Sequence, residues 1–170
     1  MKIRKGFVTN SSSSSFIIGY NDFESLSKKV EKGIKDNISV YHYVEEDEIP
    51  EYVGEALSLL LQNKVTLSEI QKLMPRIKED MFWYNRCVMV YKGKDIVKSY
   101  TYAELKDNNS DVNKFLRGVV QKQVADLNRR MKHYKKFIYI TVEDHTPLGD
   151  ILEHFVLCKL SNTLYRFDNH

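Results

Sequence analysis

The side chains best suited to catalysis or metal binding gather near the end of the chain, which holds three of its five histidines. Imidazole and carboxylate groups are the ligands that zinc, iron and manganese prefer, and they are also common general acids and bases. His145, His154 and His170 are the predicted ligands of a divalent transition metal. Glu153 is a fourth candidate ligand and, like Asp144, a candidate general base. These residues would suit a metal-dependent hydrolase or transferase.

Two secondary structures are open for the segment that carries His154. If residues 151–158 and 164–170 are antiparallel strands, His154 faces Asp168 across the pair. Alternatively, Thr146-Pro147 begins a short capped helix that carries His154 instead. The chain contains no HExxH motif or other doublet with metal-ligand spacing. A hydrogen-bonded polar end to a sheet is therefore the alternative to a catalytic site.

A second candidate surface is the cationic stretch over residues 112–136, where eight lysines and arginines stand against Asp126 alone. The cations are Lys114, Arg117, Lys122, Arg129, Arg130, Lys132, Lys135 and Lys136. The candidate binding residues among them are Lys122, Arg129, Arg130 and Lys132. Such a face is ordinarily solvated surface, but it would also attract phosphates or an acidic protein in a salt-dependent way. Phe115 is assigned to the apolar stripe of the same helix, so Tyr134 alone offers an interleaved ring for base stacking, which disfavours nucleic acid as the partner.

The serine run at Ser11 to Ser15 is flanked by apolar residues, Phe7 and Val8 before it and Phe16 after it. These flanks predict that the segment is anchored to the fold, although serine runs are typical of flexible linkers. The serine hydroxyls and the nearby cations could form an anion site, or they could simply bond to neighbouring backbone. The candidate binding residues of this segment are Arg4, Lys5, Ser11, Ser12 and Ser13.

The opening from Met1 to Phe16 resembles the leader MKIRxGFVxNSSSSSF, found at the head of many otherwise dissimilar, mostly uncharacterised proteins of bacteria and their phages. The resemblance covers 16 of the 170 residues. It implies an origin in a phage or prophage rather than an activity, and no catalytic role is carried over from it.

Hydrophobic periodicity predicts the elements that would position these candidates. Strands are predicted at 16–20, 38–44, 87–91, 96–102 and 137–142, and helices from Asn21-Asp22 to 34, from Pro50 to 61, from Thr66 to 81 and over 112–134. The third helix is expected to be kinked or divided around Pro75, and Lys92 to Asp95 should close a β-hairpin. This order predicts a single α+β domain over residues 1–170, with residues 1–20 as a serine-rich motif and strand. Its sheet is expected to be mixed or antiparallel and packed by helices, including one long, basic, amphipathic helix.

Composition narrows the class of protein. A 42% hydrophobic content argues for a folded chain, and no run reaches membrane-spanning length. Cys87 and Cys158 lie in apolar stretches, where cysteine is expected to be a small buried hydrophobe. Glycine-rich phosphate loops and G-x-S-x-G elbows are missing from the sequence.

These features predict an accessory protein of phage type that acts by binding a macromolecule, most often a protein. It would inhibit a host or defence factor or form part of a virion, in the host cytoplasm or in the particle. We expect no enzymatic activity, no cofactor and no membrane partner. The metal-dependent hydrolase or transferase is the alternative, and a nucleic-acid binder using the long helix is a third option.

Overall fold

The computed structural model describes residues 13–38, 45–92, 110–143 and 146–169. The chain separates into two compact units: residues 1–64 with 136–170, here called the sheet unit, and residues 65–135, here called the helical unit. Helices together with an antiparallel sheet confirm the predicted α+β class. The assignment of residues 1–170 to one domain stays a prediction.

The sheet is built around β1 (Ser13–Tyr20), so the second half of the serine run belongs to its central strand. β1 is antiparallel to β3 (Lys136–Glu143) on one side and to β4 (Thr163–Asn169) on the other. The two-residue strand β2 (Lys64–Val65) lies beyond β3, giving the order β2-β3-β1-β4. The predicted strands at 16–20 and 137–142 are confirmed, whereas residues 39–44 of another predicted strand lie outside the described residues.

Two amphipathic helices, α1 (Phe23–Asn37) and α2 (Ile49–Gln62), contribute to the core of the sheet unit. Asp22 caps α1 as predicted, because its carboxylate accepts a hydrogen bond from the Ser25 amide at 2.8 Å. Pro50 occupies the first turn of α2, where its missing N–H costs no helical hydrogen bond. The core joins apolar residues of both helices to alternate residues of β1 such as Phe16.

Of the two structures left open for residues 151–158, the strand is wrong and the capped helix is confirmed. A short helix α5 (Pro147–Asp150) continues as a π-helical segment (Ile151–Leu157). Thr146 caps α5 by accepting a hydrogen bond from the Gly149 amide at 3.0 Å. Burial of Ile151, Leu152, Val156 and Leu157 follows a five-residue repeat, which suits the wider turn of a π-helix rather than a strand.

In the helical unit, α3 (Leu67–Lys92) begins with the predicted capping box, in which Thr66 and Glu69 bond to each other's backbone amides. Pro75 lies inside this helix and does not divide it. The predicted hairpin is therefore wrong in its first strand, because residues 87–91 continue α3. A short apolar run has no period that separates strand from helix, and here the preceding helix extends through it. The second predicted strand, 96–102, lies outside the described residues.

The predicted long helix is confirmed as α4 (Asp111–Met131). The Ser110 hydroxyl caps it by accepting a hydrogen bond from the backbone N–H of Asn113. Its buried stripe runs through Val112, Leu116, Val120, Val124, Leu127 and Met131. Phe115 was predicted to belong to this stripe, but 54% of it is exposed. The amide side chains of Asn85 and Gln123 bond to each other in both directions, at 2.7 and 3.3 Å, and join α3 to α4.

Candidate functional site

The sheet unit contains a buried charged cluster made by Ser14, Glu153 and Arg166, here called the serine–glutamate–arginine cluster. Ser14 is buried in β1, and its hydroxyl donates to Glu153 Oε1 at 2.7 Å. Arg166 of β4 donates to the same oxygen at 3.0 Å. The side chain of Glu153 is only 2% exposed, so the arginine supplies the positive charge that a buried carboxylate needs.

The guanidinium of Arg166 makes a second contact besides its hydrogen bond to Glu153. Its guanidinium lies over the Phe16 ring, 5.6 Å from the ring centroid. About a third of the arginine side chain, 34%, stays exposed. The positive charge therefore retains contact with water while it neutralises the buried carboxylate.

Glu153 has one further polar atom to satisfy. Its Oε2 is buried and has no hydrogen-bond partner among the described residues. The cluster lies toward the end of the sheet where β1 begins and where β3 and β4 end, because Ser13 is opposite both Glu143 and Asn169. The carboxylate is thus a polar group enclosed at one end of the sheet and bonded through a single oxygen within the described chain.

The two neighbouring candidates Glu153 and His154 do not share an environment. His154 is exposed, and its Nε2 lies 3.3 Å from Asp150 Oδ1, one turn earlier. Cys158 is also exposed, and its Sγ donates to the His154 carbonyl, so the prediction of a buried cysteine is wrong at this position. Cys158 follows the last buried residue of the π-helical segment, Leu157, and lies on the solvent side.

The predicted metal set is only partly described. His145 and His170, and the candidate base Asp144, lie outside the described residues. Within residues 13–38, 45–92, 110–143 and 146–169, no three His, Cys, Asp or Glu side chains are grouped so that they could hold a metal ion. The ligand role of the set stays a prediction.

Of the five candidate binding residues in the serine-rich segment, only Ser13 lies among the described residues. Ser13 is half-buried at the start of β1. Ser15, which was not singled out for binding, is buried and pairs with the Thr141 hydroxyl at 2.8 Å. The remaining four candidates, Arg4, Lys5, Ser11 and Ser12, lie outside the described residues. The described serines are therefore parts of the sheet.

The cations of α4, and Lys132 directly after its end, lie on or near the solvent side, as the sequence predicts. Lys122, Arg129 and Lys132 are exposed, and Arg130 is half-buried. Arg129 pairs with Asp126 one turn earlier on the same helix, and this ion pair is exposed. The helix thus presents a basic face opposite its buried stripe.

Sequence reasoning missed two exposed aromatic side chains of α3. Trp83 is 51% exposed and Tyr84 is 63% exposed, next to each other in the chain. For Trp83 the signal was present in the helical phase, since at 100° per residue it lies away from the buried positions Ile70 and Ile77. Tyr84 lies on the same side as Ile77, so the phase gave no signal for it. Large exposed aromatic side chains are enriched where proteins bind one another.

None of the helices in the described parts of the chain combines the length and apolar character needed to cross a bilayer. No family model, no curated protein and no solved structure matches this chain.

Proposed function

We propose that this chain is an accessory protein of phage or prophage type that acts by binding another protein. It would do so as an inhibitor of a host or defence factor or as a component of a virion. The observation that carries the proposal is the adjacent pair Trp83 and Tyr84, both more than half exposed on α3. The leader resemblance supports the phage origin.

The energetic argument rests on desolvation. Tryptophan and tyrosine bury a large apolar area with few rotatable bonds, and truncating them at an interface costs about 2 kcal/mol or more when they are hot spots. Trp83 packs edge to face against Phe82 at 6.3 Å between ring centroids, but the parts of Trp83 and Tyr84 that stay in water contribute nothing to folding. Their exposure therefore supports a role in contact with a partner.

The charges of the helical unit favour an acidic partner. α4 carries Lys122 and Arg129 on exposed positions, and Lys132 is exposed directly after its end. Cations of this kind accelerate encounter with a surface of opposite sign. Binding of a single-stranded nucleic acid would require aromatic rings between these cations for base stacking, and few are present. A protein surface rich in Asp and Glu is the partner that suits both features.

The test is recovery of partners by immobilised full-length protein from nuclease-treated lysate of a host in which the phage or prophage is active. We expect one or a few host or virion proteins to be captured, and capture to fall at least about tenfold, ~1.4 kcal/mol, in Trp83→Ala/Tyr84→Ala. Purified particles should be searched for the protein by mass spectrometry to separate inhibitor from virion component.

The matched control is Leu67→Ala, which removes an exposed apolar side chain elsewhere on the same helix. It should leave capture unchanged. Identical partner sets for the double variant and the wild type would contradict the assignment to Trp83 and Tyr84. Recovery of nucleic acid alone before nuclease treatment would favour the third option.

A further inference from the structure

A groove in the sheet unit, here called the acidic groove, runs between α2 and the start of α5. It encloses about 370 Å³, toward the lower end of the ~300–1,000 Å³ usual for binding clefts. Its lining consists of Glu48, Glu51, Tyr52, Glu55, Thr146, Pro147 and Leu148. Lysine and arginine side chains suit such a lining, because they lay their methylene stems on apolar surface while their charges meet carboxylates.

The carboxylates of the acidic groove are not neutralised by their surroundings. Glu51 and Glu55 are exposed and lie four residues apart, on one face of α2. Neither forms an ion pair within the parts of the chain that the structure describes. No lysine or arginine occurs between residues 45 and 62, so α2 itself offers no cation. The groove therefore presents two carboxylates to a cationic segment from elsewhere.

The acidic groove lies close to the point where the chain enters β1. Ser13, the first residue of β1, is opposite Glu143 at the end of β3. A Cβ at Gly149 would lie 1.8 Å from the Glu143 carbonyl oxygen, so α5 packs directly on this end of β3. Thr146 follows Glu143 by three residues, which span at most about 11 Å, and residues opposite each other in an antiparallel pair are about 5 Å apart. Ser13 therefore lies within about 16 Å of the groove wall.

The segment that leads into β1 carries cations and no acid. Residues 1–12 lie outside the described residues, and their charged side chains are Lys2, Arg4 and Lys5. The nine residues from Arg4 to Ser13 span up to about 30 Å when extended. This reach exceeds the distance from Ser13 to the groove wall. The cations can therefore enter the groove without any change in β1.

The spacing of two of these cations matches the spacing of the two carboxylates. In an extended chain, side chains two residues apart point to the same side and lie about 6.6 Å apart, which is the spacing available to Lys2 and Arg4. The rise along α2 from Glu51 to Glu55 is about 6 Å. One extended segment can thus place a cation against each carboxylate at the same time.

We propose that residues 1–5 of this chain dock in the acidic groove as an internal cationic ligand, with Lys2 and Arg4 against Glu51 and Glu55. The tether to β1 selects this segment over the cations of other molecules, since a short flexible linker holds it at a millimolar effective concentration. The anion that these cations bind is then part of their own chain. The contact lies within the sheet unit and does not depend on the exposed aromatic pair of α3.

Salt should release the docked segment. Ion pairs at an exposed groove are weak one by one and are screened as ionic strength rises. The Debye length falls from about 10 Å at 0.1 M salt to about 3 Å at 1 M. We therefore expect the segment to be docked at low salt and largely free at 1 M.

The test is limited cleavage of the untagged protein by chymotrypsin after Phe7, a peptide bond that charge variants leave unchanged. At low salt, Lys2→Glu/Arg4→Glu should be cut at least about threefold faster than the wild type, because cleavage follows the population of the undocked segment. Adding Glu51→Lys/Glu55→Lys to that variant should restore the slow rate, since the charges are then exchanged. At 1 M salt the wild type and Lys2→Glu/Arg4→Glu should be cut alike.

The control of equal charge change is Lys32→Glu/Lys122→Glu, at two exposed positions away from the groove, and it should be cut like the wild type. Equal rates for the wild type and Lys2→Glu/Arg4→Glu at low salt overturn the proposal. So does fast cleavage of the charge-exchanged variant when its circular dichroism shows that it is folded.

Zero-length carbodiimide cross-linking of mixed isotope-labelled and unlabelled wild-type protein tests the contact without a variant that has to fold. We expect a cross-link from Lys2 or Lys5 to Glu51 or Glu55, between residues that carry the same label. Cross-links of these glutamates to lysines of a differently labelled copy, or only to lysines of other elements, overturn the proposal.

Discussion

Glu153 in the sheet unit and Lys122 in the helical unit show two opposite uses of a charged side chain. Glu153 is buried, and its charge joins β1, β4 and the π-helical segment through Ser14 and Arg166. Lys122 stands in solvent on the outer face of α4. The charge in the first case stabilises a chain fold, and in the second it is available to another molecule.

The aromatic residues follow the same division. Phe16 and Tyr20 of β1 are buried, and Tyr20 packs edge to face against Phe23 at 5.9 Å between ring centroids. Trp83 and Tyr84 of α3 are more than half exposed. The comparison teaches that recognition is to be sought on the helical unit, whereas changes to the sheet unit should act mainly through stability.

Removing the buried carboxylate should have the largest effect. In Glu153→Ala, Ser14 and Arg166 lose their shared acceptor, and the expected loss is about 3 kcal/mol in the free energy of unfolding of the sheet unit. Hydrogen exchange of the β1 amides measures this loss. The control Glu24→Ala removes an exposed carboxylate paired with Lys28 and should cost less than about 0.5 kcal/mol. Equal effects of the two changes would contradict the structural role of the cluster.

Replacing a glycine by alanine should change the free energy of unfolding in opposite directions in the two units. A Cβ at Gly149 would lie 1.8 Å from the Glu143 carbonyl oxygen, so Gly149→Ala forces the backbone apart and should destabilise the sheet unit by about 1–3 kcal/mol. Gly118 lies in a helix with open space around it, so Gly118→Ala should stabilise the helical unit by up to about 1 kcal/mol. Denaturant unfolding of both variants decides the matter, and a stabilising Gly149→Ala would refute the close approach.

Replacing Ser13 or Ser14 by alanine should lower the free energy of unfolding by different amounts, again measured by denaturant unfolding. Ser14→Ala removes the hydroxyl that donates to Glu153 and should cost about 1–2 kcal/mol. Ser13 is only half-buried at the start of the strand, and Ser13→Ala should stay within about 0.5 kcal/mol. Both variants should capture partners like the wild type. Loss of capture in a folded Ser13→Ala would instead give the serine run a role in recognition.

The smallest effect expected is a pH dependence in the helical unit. The backbone amide of Thr66, followed by its hydroxyl, holds the pKa of Glu69 below its ordinary value of 4.5. Because the folded-state pKa is the lower one, this contribution is present above about pH 4.5 and is lost as the pH falls through the folded value. In Glu69→Gln, the melting temperature of the helical unit should therefore fall less steeply as the pH is lowered. Glu79→Gln, an exposed change on the same helix, is the control, and equal slopes for both would contradict the capping role.

Local signals in the sequence were sufficient for most of the helix starts. Asp22, Pro50, Thr66 and Ser110 each precede an apolar face of helical period, and each helix begins at or beside that residue. Residues 87–91 were misassigned because a short apolar run is compatible with both a strand and a helix. The π-helical segment was not predicted either, since its five-residue repeat was interpreted with the periods of a strand and of an ordinary helix.

The candidate site was less accessible to prediction. Glu153 was recognised as a candidate, but its contact with Ser14 spans 139 positions and depends on the register of β1. Arg166 was not predicted as a site residue, because no local sequence pattern distinguishes an arginine that neutralises a buried acid from one in solvent. Exposure of Trp83 agrees with the helical phase, but exposure of Phe115 and of Tyr84 depends on tertiary packing, which helical period alone does not determine.

The central place of β1 governs the order in which this polypeptide can fold as the ribosome makes it. β1 emerges early, but both strands that flank it, β3 and β4, are translated after α4. Until they appear, an apolar strand with two unpaired edges is exposed to other nascent chains, which is a hazard for aggregation. A product truncated by premature termination before β3 would keep every residue of α3 and α4 yet lack both partners of β1. It would therefore be a ready substrate for chaperones and proteases.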